Sequence, residues 1–265
     1  MIHDKQWHIH FIIVQVLYYG FVDIVDSISG LEADSFTFKA ELYKVLNKYP
    51  DITLSIFKKY KYPNVSNKDK KSFLTHLTLI DCVINEDTKI GIYNPLLCIL
   101  RNCVDKAKEQ KELTFIQNET THEWVGDFVQ FYRQEILLFY NKTLIFDEEK
   151  QVMKALESEE IEINNRKASN FCFKESTFDP MIQICDYVVC ILRKYLMFLD
   201  RLETEVNADI LCFDEIQMSN YMLLNSVLAD SLNYNPLFVH FIASQHTIAK
   251  YHKYISIYGY DHDYM

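Results

Sequence analysis

Residues 179–193 read DPMIQICDYVVCILR, and they contain the clearest helix start in the chain. Asp179 can act as the N-cap, and Pro180 can take the first helical position, where its missing N–H costs nothing. Apolar residues then recur at helical spacing as far as Asp200. They are Ile182, Cys185, Val189, Leu192, Leu196 and Leu199. The sequence therefore predicts a helix with one apolar stripe over residues 180–200.

Two polar side chains lie beside that stripe. Gln183 and Asp186 are one helical turn apart, so they share a face of the predicted helix. A carboxylate next to a buried stripe needs a hydrogen-bond partner, a cation or water to offset its desolvation. Asp186 is therefore either a boundary residue held by Gln183 or Lys194, or an acid that binds a ligand.

A second group of acids follows a short apolar segment. Residues 143–146 (TLIF) predict a strand, and Asp147, Glu148 and Glu149 come directly after it. A carboxylate at the carboxyl end of a strand projects from a rigid element and is suited to binding a ligand. The alternative is an ordinary helix N-terminus, where acids interact favourably with the macrodipole. Residues 170–173 (NFCF) predict another strand.

The remaining pattern is mostly helical. Residues 11–19 (FIIVQVLYY) are β-branched and aromatic, and they predict a buried strand. Apolar or charged residues at helical spacing predict helices over 32–47, 72–84, 95–108, 123–140, 151–162, 216–232 and 236–258. No repeat, linker or convincing boundary interrupts the sequence. The pattern therefore favours one α+β domain with helical additions, all-helical beyond Glu203.

Three segments together resemble a known family. The run PMIQICDYVVC at residues 180–190 resembles the Pro-x-x-Gln-x-x-Asp helix start of the domain-of-unknown-function 3800 family, a ribonuclease-H-like group. LIFDEEK at residues 144–150 is similar to that family's strand and acidic turn, and HFIIVQVL at residues 10–17 is similar to its second strand. The resemblance covers residues 1–199 in order, and the block with Gln183 and Asp186 is its specific part.

The chain departs from the family pattern at two motifs. The family usually has Asp-Glu-Ser-Gly before the second strand, where this sequence has Asp4, Lys5, Gln6 and Trp7, so only Asp4 matches. A Glu-Leu-Lys-like stretch of the family is approached here by residues 37–39 (TFK), in which Lys39 remains and the acid is missing.

The resemblance implies a ribonuclease-H-like mixed sheet with flanking helices in residues 1–200, and a helical C-terminal extension packed on it in residues 201–265. It also implies a metal-dependent nuclease of the two-metal type, whose oxygen ligands suit Mg²⁺ or Mn²⁺. The catalytic and metal-binding acids would be Asp4, Asp147 and Asp186, with Glu148 as a further ligand and with Gln183 and Lys39 orienting the substrate. Because acids are missing, the alternative is an inactive module that binds a protein partner or self-associates through its C-terminal helices.

The charge of the chain is uneven. Its formal net charge of −10 excludes a globally basic nucleic-acid-binding protein. Residues 58–71 nevertheless contain six lysines with Tyr60 and Tyr62 between them: Lys58, Lys59, Lys61, Lys68, Lys70 and Lys71. Cations with interleaved aromatic rings are typical of proteins that bind single-stranded RNA or DNA. The alternative is a lysine-rich loop that only contacts solvent.

Composition also indicates the cellular compartment and the class of protein. Seven cysteines without CxxC spacing argue against a disulfide framework and favour a reducing cytoplasm. The apolar run at residues 11–22 is interrupted by Gln15 and Gly20 and is too short to span a bilayer, so we expect no membrane association. A hydrophobic content of 49% excludes a mainly disordered chain. The sequence has no P-loop and no Rossmann glycine motif.

Overall fold

A computed structural model describes residues 7–29, 35–87, 95–125 and 128–259. In chain order, the elements of the described residues are β1 (Phe11–Val14), α1 (Val16–Asp26), α2 (Ser35–Lys48), α3 (Pro50–Lys59), α4 (Lys70–Asp87), α5 (Pro95–Glu109), α6 (Val129–Leu138), β2 (Leu144–Asp147), α7 (Lys150–Ser158), β3 (Glu162–Ile163), β4 (Arg166–Lys167), β5 (Phe171–Lys174), α8 (Pro180–Leu199), α9 (Glu203–Leu211), α10 (Glu215–Tyr234), β6 (Val239–Ile242) and α11 (Gln245–Tyr258). The fold is mixed α+β and 64% helical, as predicted at the level of class.

The strands of the described residues form small sheets. β1 pairs with β6 in parallel, with Phe11 opposite Val239. β2 pairs with β5 in parallel, with Asp147 opposite Lys174. β3 and β4 form a short antiparallel pair. The carboxyl ends of β2 and β5 therefore meet at one edge.

Two sequence predictions fail at the ends of the chain. The region beyond Glu203 is not all-helical, because residues 239–242 (VHFI) form β6. The predicted strand over residues 11–19 ends at Val14, and Val16 already begins α1. Short apolar runs suit a strand and a buried helix equally well, so periodicity does not separate the two at this length.

The Cα atoms group into two compact units. The first comprises residues 1–125 and 202–265, and the second comprises residues 126–201. The boundary predicted at residues 200 and 201 follows a family resemblance rather than packing, so it stays a prediction.

The core of the first unit is built from large aromatic rings. The Phe57 side chain on α3 is 1% exposed. Its ring stacks on that of Tyr62 with the centroids 4.2 Å apart, and it meets the rings of Phe21 at 5.6 Å and Trp124 at 5.4 Å. Offset and edge-to-face pairs of this kind stabilise a core beyond the area that they bury.

The core of the second unit is smaller. Val129 and Ile136 of α6 pack with Val152 and Leu156 of α7, and Phe146 of β2 packs against this cluster. Burial alternates along β2, so that Leu144 and Phe146 are partly buried while the intervening side chains are exposed. The alternation places Asp147, the last residue of the strand, on the exposed side.

In the described parts of the chain, no helix has both the length and the apolar composition needed to cross a membrane.

Candidate functional site

Asp147 lies at the carboxyl edge of the β2–β5 pair. Its Oδ1 atom accepts hydrogen bonds from two backbone amides, Glu148 N at 2.9 Å and Ser176 N at 3.2 Å. Ser176 follows the end of β5 by two residues. The carboxylate of β2 is thus bound to the segment that leaves the neighbouring strand, and this fixes the orientation of its Oδ1 atom.

Gln183 of α8 also contacts Ser176. Its Nε2 atom donates to the carbonyl oxygen of Ser176 at 2.8 Å. The structure therefore brings together two of the predicted site residues, because Asp147 binds the N–H and Gln183 binds the C=O of Ser176.

The start of α8 is built as the sequence predicts. Asp179 is the N-cap, and its Oδ1 atom accepts from Met181 N at 2.9 Å. Its Oδ2 atom pairs with Lys174 Nζ at 2.9 Å. The hydrogen bond from Lys174, followed by that from Met181, lowers the pKa of Asp179 below its ordinary value.

Asp186 is exposed on α8, one turn beyond Gln183. The predicted apolar stripe is buried at Ile182, Leu192 and Leu199, but beside Asp186 it is not, because Cys185 is exposed and Val189 is 59% exposed. The residues that α8 buries are Ile182, Leu192, Tyr195 and Leu199. Apolar residues occur on all sides of this helix, so helical spacing alone does not identify the covered face.

Of the other two predicted metal ligands, the structure describes Glu148 but not Asp4. Glu148 is exposed next to Asp147. Asp4 lies outside the described residues. Within residues 7–29, 35–87, 95–125 and 128–259, no three His, Cys, Asp or Glu side chains are grouped so as to share a metal ion. Of the three predicted catalytic acids, Asp147 and Asp186 therefore lie within the described residues and Asp4 does not.

The lysine-rich segment lies in the first unit. Lys58, Lys59, Lys61, Lys68 and Lys71 are exposed. Lys70 is buried, and its ammonium group donates to the carbonyl oxygens of Gln110 and Lys111 just beyond α5. Lys71 pairs with Glu109 at 2.6 Å.

The two tyrosines of that segment do not fit the role expected for them. Tyr62 is 0% exposed and Tyr60 is 7% exposed. Their rings pack on Phe57 and Phe73 respectively. They belong to the core and present no ring on which a base could stack.

Lys39, predicted to orient a substrate, is also in the first unit. Its Nζ atom pairs with Asp26 Oδ1 at 2.7 Å, and the lysine side chain is 13% exposed. Lys39 also lowers the pKa of Asp23. Its observed partners are therefore the acids of α1.

Asp23 is a perturbed acid that the sequence analysis did not single out. Burial is the largest cause that raises the pKa of its carboxyl group to about 6, and the charges of Asp26 and Glu119 raise it further. Perturbed acids occur at functional sites and also in structural ion-pair networks. The signal in the sequence was a pair of acids three residues apart on a helix that is otherwise apolar.

We expect Asp23→Asn to stabilise the protein at pH 7 by about 1–2 kcal/mol, after allowance for solvent screening of this half-buried group. A carboxyl group whose pKa rises on folding favours the folded state below pH 3.8, and this contribution is lost as the pH rises through about 6. Urea unfolding of both proteins between pH 4 and pH 8 measures the difference. If the free energy of unfolding depends on pH in the same way in the wild type and in Asp23→Asn, the prediction is contradicted.

No protein-family model matches this sequence, and neither the curated proteins nor the solved structures contain a significant match.

Proposed function

We propose that the protein is a divalent-cation-dependent nuclease with a ribonuclease-H-like fold, which hydrolyses phosphodiester bonds at the carboxyl edge of the β2–β5 pair. One observation carries the proposal. Asp147, at the end of a strand, and Gln183, at the start of α8, both hydrogen-bond to the backbone of Ser176, the first to its N–H and the second to its C=O. Gln183 belongs to the specific part of the resemblance to the ribonuclease-H-like family, and Asp147 belongs to residues 144–150, which are similar to that family's strand and acidic turn.

The chemistry of the donors suits a hard cation. Asp147, Glu148 and Asp186 offer exposed carboxylate oxygens, which Mg²⁺ and Mn²⁺ prefer over nitrogen or sulfur. The Oδ2 atom of Asp147 makes no hydrogen bond to any described residue, while Oδ1 is held by two amides.

The cation would polarise the phosphate and favour ionisation of a bound water. The chain's own residues would bind the cation and orient the groups around it. Asp147 and Asp186 would hold the cation, with Glu148 as a further ligand. Gln183 would keep the Ser176 segment in place. Lys58, Lys59, Lys61, Lys68 and Lys71 would attract the nucleic-acid backbone by their charge.

The proposal predicts that the wild type cleaves labelled RNA or DNA in the presence of Mn²⁺. Asp147→Ala and Asp186→Ala should each reduce the rate by at least about 100-fold, as expected when charge stabilisation is removed from a transition state. Glu157→Ala, which changes an exposed acid on α7, is the matched control and should retain the wild-type rate.

Gel assays with Mn²⁺, with Mg²⁺ and with a chelator give the rates, and calorimetric titration with Mn²⁺ gives the binding constant. A wild type that neither binds Mn²⁺ nor cleaves would overturn the proposal. Equal loss of activity in Glu157→Ala would show a general charge effect rather than a site.

A second candidate function is supported by exposed apolar residues near the C-terminal helices. Leu202 is 67% exposed, Leu211 is 86% exposed and Ile216 is 73% exposed. Large apolar side chains in contact with water mark surfaces that bind partners when they form a patch. Under this alternative the protein is an inactive module, and no variant or wild-type sample yields a Mn²⁺-dependent product.

A further inference from the structure

We infer that Gln183 is a positioning residue, which holds the carboxylate of Asp147 in place through Ser176. The inference rests on the proposed function, since it assigns a role to Gln183 at the same site. From the sequence, Gln183 was expected to orient Asp186 or a substrate. Its hydrogen bond to Ser176 instead connects Gln183 to Asp147 on β2.

Ser176 links the two side chains. Its N–H donates to Asp147 Oδ1 at 3.2 Å, and its C=O accepts from Gln183 Nε2 at 2.8 Å. Both contacts are made by the backbone of one residue. Because the two groups belong to one residue and are separated by only two backbone dihedrals, loss of the bond at the carbonyl frees a rotation that can also displace the amide that holds Asp147.

The rest of the turn is bound locally. The hydroxyl group of Thr177 donates to Glu175 Oε1 at 2.7 Å. Asp179 pairs with Lys174 and accepts from Met181 N. The middle of the turn has backbone bonds of its own, from Phe178 N to the carbonyl oxygen of Glu175 at 3.1 Å and from Asp179 N to that of Ser176 at 3.4 Å. Gln183 adds a shorter bond to the Ser176 carbonyl from α8, and its Nε2 atom also lies 3.5 Å from the carbonyl oxygen of Thr177.

The amide group is the part of Gln183 that matters. It is a neutral donor at the end of a side chain long enough to reach back by more than one helical turn to Ser176. Glutamate has the same length but offers no donor when ionised, and leucine offers none at all. Lysine has both the length and a donor, so it should restore the contact.

The first test measures hydrogen exchange of the Ser176 amide by NMR. Gln183→Leu and Gln183→Glu should accelerate this exchange about fivefold, the ratio expected when one hydrogen bond that holds the segment is lost. Gln183→Lys should leave the exchange rate near that of the wild type. Gln151→Leu, on an exposed glutamine of α7, is the matched control. In an Asp147→Ala background the effect of Gln183→Leu should shrink, which shows that the two residues are coupled.

The second test measures Mn²⁺ binding and cleavage by the full chain. Gln183→Leu should weaken Mn²⁺ binding about tenfold and lower kcat, with the KM for the nucleic acid unchanged, as expected for a residue that orients a ligand.

The outcomes separate this inference from the proposed function. Unchanged Ser176 exchange in Gln183→Leu overturns the inference, whatever the activity. A response of Ser176 exchange in a protein that binds no Mn²⁺ overturns the proposed function and leaves the structural contact standing. Wild-type Mn²⁺ affinity and kcat in Gln183→Leu, together with faster Ser176 exchange, overturn the positioning role.

Discussion

Phe57→Ala is expected to lower the free energy of unfolding by about 3–5 kcal/mol, the range for removing a buried aromatic ring. Phe57 is 1% exposed and lies among the rings of Phe21, Tyr62 and Trp124. These neighbours come from α1, from the turn after α3 and from residues far along the chain. They cannot all move to fill the same space, so a cavity remains and adds to the lost transfer free energy.

Urea unfolding followed by circular dichroism measures this change. Phe36→Ala is the matched control, because the Phe36 side chain on α2 is 63% exposed and its ring centroid lies 5.8 Å from Lys39 Nζ in a cation–π contact. The control should lose less than about 1 kcal/mol. Similar losses in the two variants would contradict the assignment of Phe57 to the centre of the core.

Local signals predicted the elements that depend on neighbouring residues. The N-cap at Asp179 needs only Pro180 and the amide of Met181, all within two residues, and it is present as predicted. The strand that ends at Asp147 is likewise delimited by its own apolar run and the acids that follow. The N-cap can be predicted because its stabilising contacts lie within a few residues. The limits of β2 follow from its own residues, although its pairing partner, β5, does not.

Non-local contacts defeated the prediction elsewhere. β6 is four residues long and is recognisable as a strand through its pairing with β1, at the opposite end of the sequence. The buried face of α8 centres on Leu192, Tyr195 and Leu199 rather than on Val189, because the choice depends on what packs against the helix. Propensity and period give no information about such partners.

The candidate site shows the same division. The local pattern singled out Asp147 and Gln183 as candidates, the family resemblance gave them their expected roles, and both contact Ser176. The role of Ser176 itself could not be predicted, because its backbone makes the contacts and its side chain gives no signal. The raised pKa of Asp23 depends on burial and on Asp26 and Glu119, and Glu119 is distant in sequence.

Gly259→Ala is expected to destabilise the protein by about 2–3 kcal/mol, the usual cost of forcing an extra methyl group into a packed position. A Cβ atom at Gly259 would lie 2.6 Å from the carbonyl oxygen of Ile255 and 2.7 Å from that of Asn225. Both are backbone atoms, the first of α11 itself and the second of α10, so the last turn of α11 would have to distort as well as move away from α10. The φ angle of −98° is accessible to any residue, so the cost is steric rather than conformational.

Gly20→Ala is the matched control, because Gly20 is also a glycine of the first unit and lies inside α1. A Cβ atom there would lie 3.5 Å from Trp124 and 3.6 Å from Tyr62, which are ordinary van der Waals distances. Alanine is the better helix former, so this variant should gain up to about 1 kcal/mol. Thermal and urea unfolding should therefore shift in opposite directions for the two variants. Stabilisation of both variants would contradict the close approach of α10 to the end of α11, since a general preference for alanine would then act at both positions.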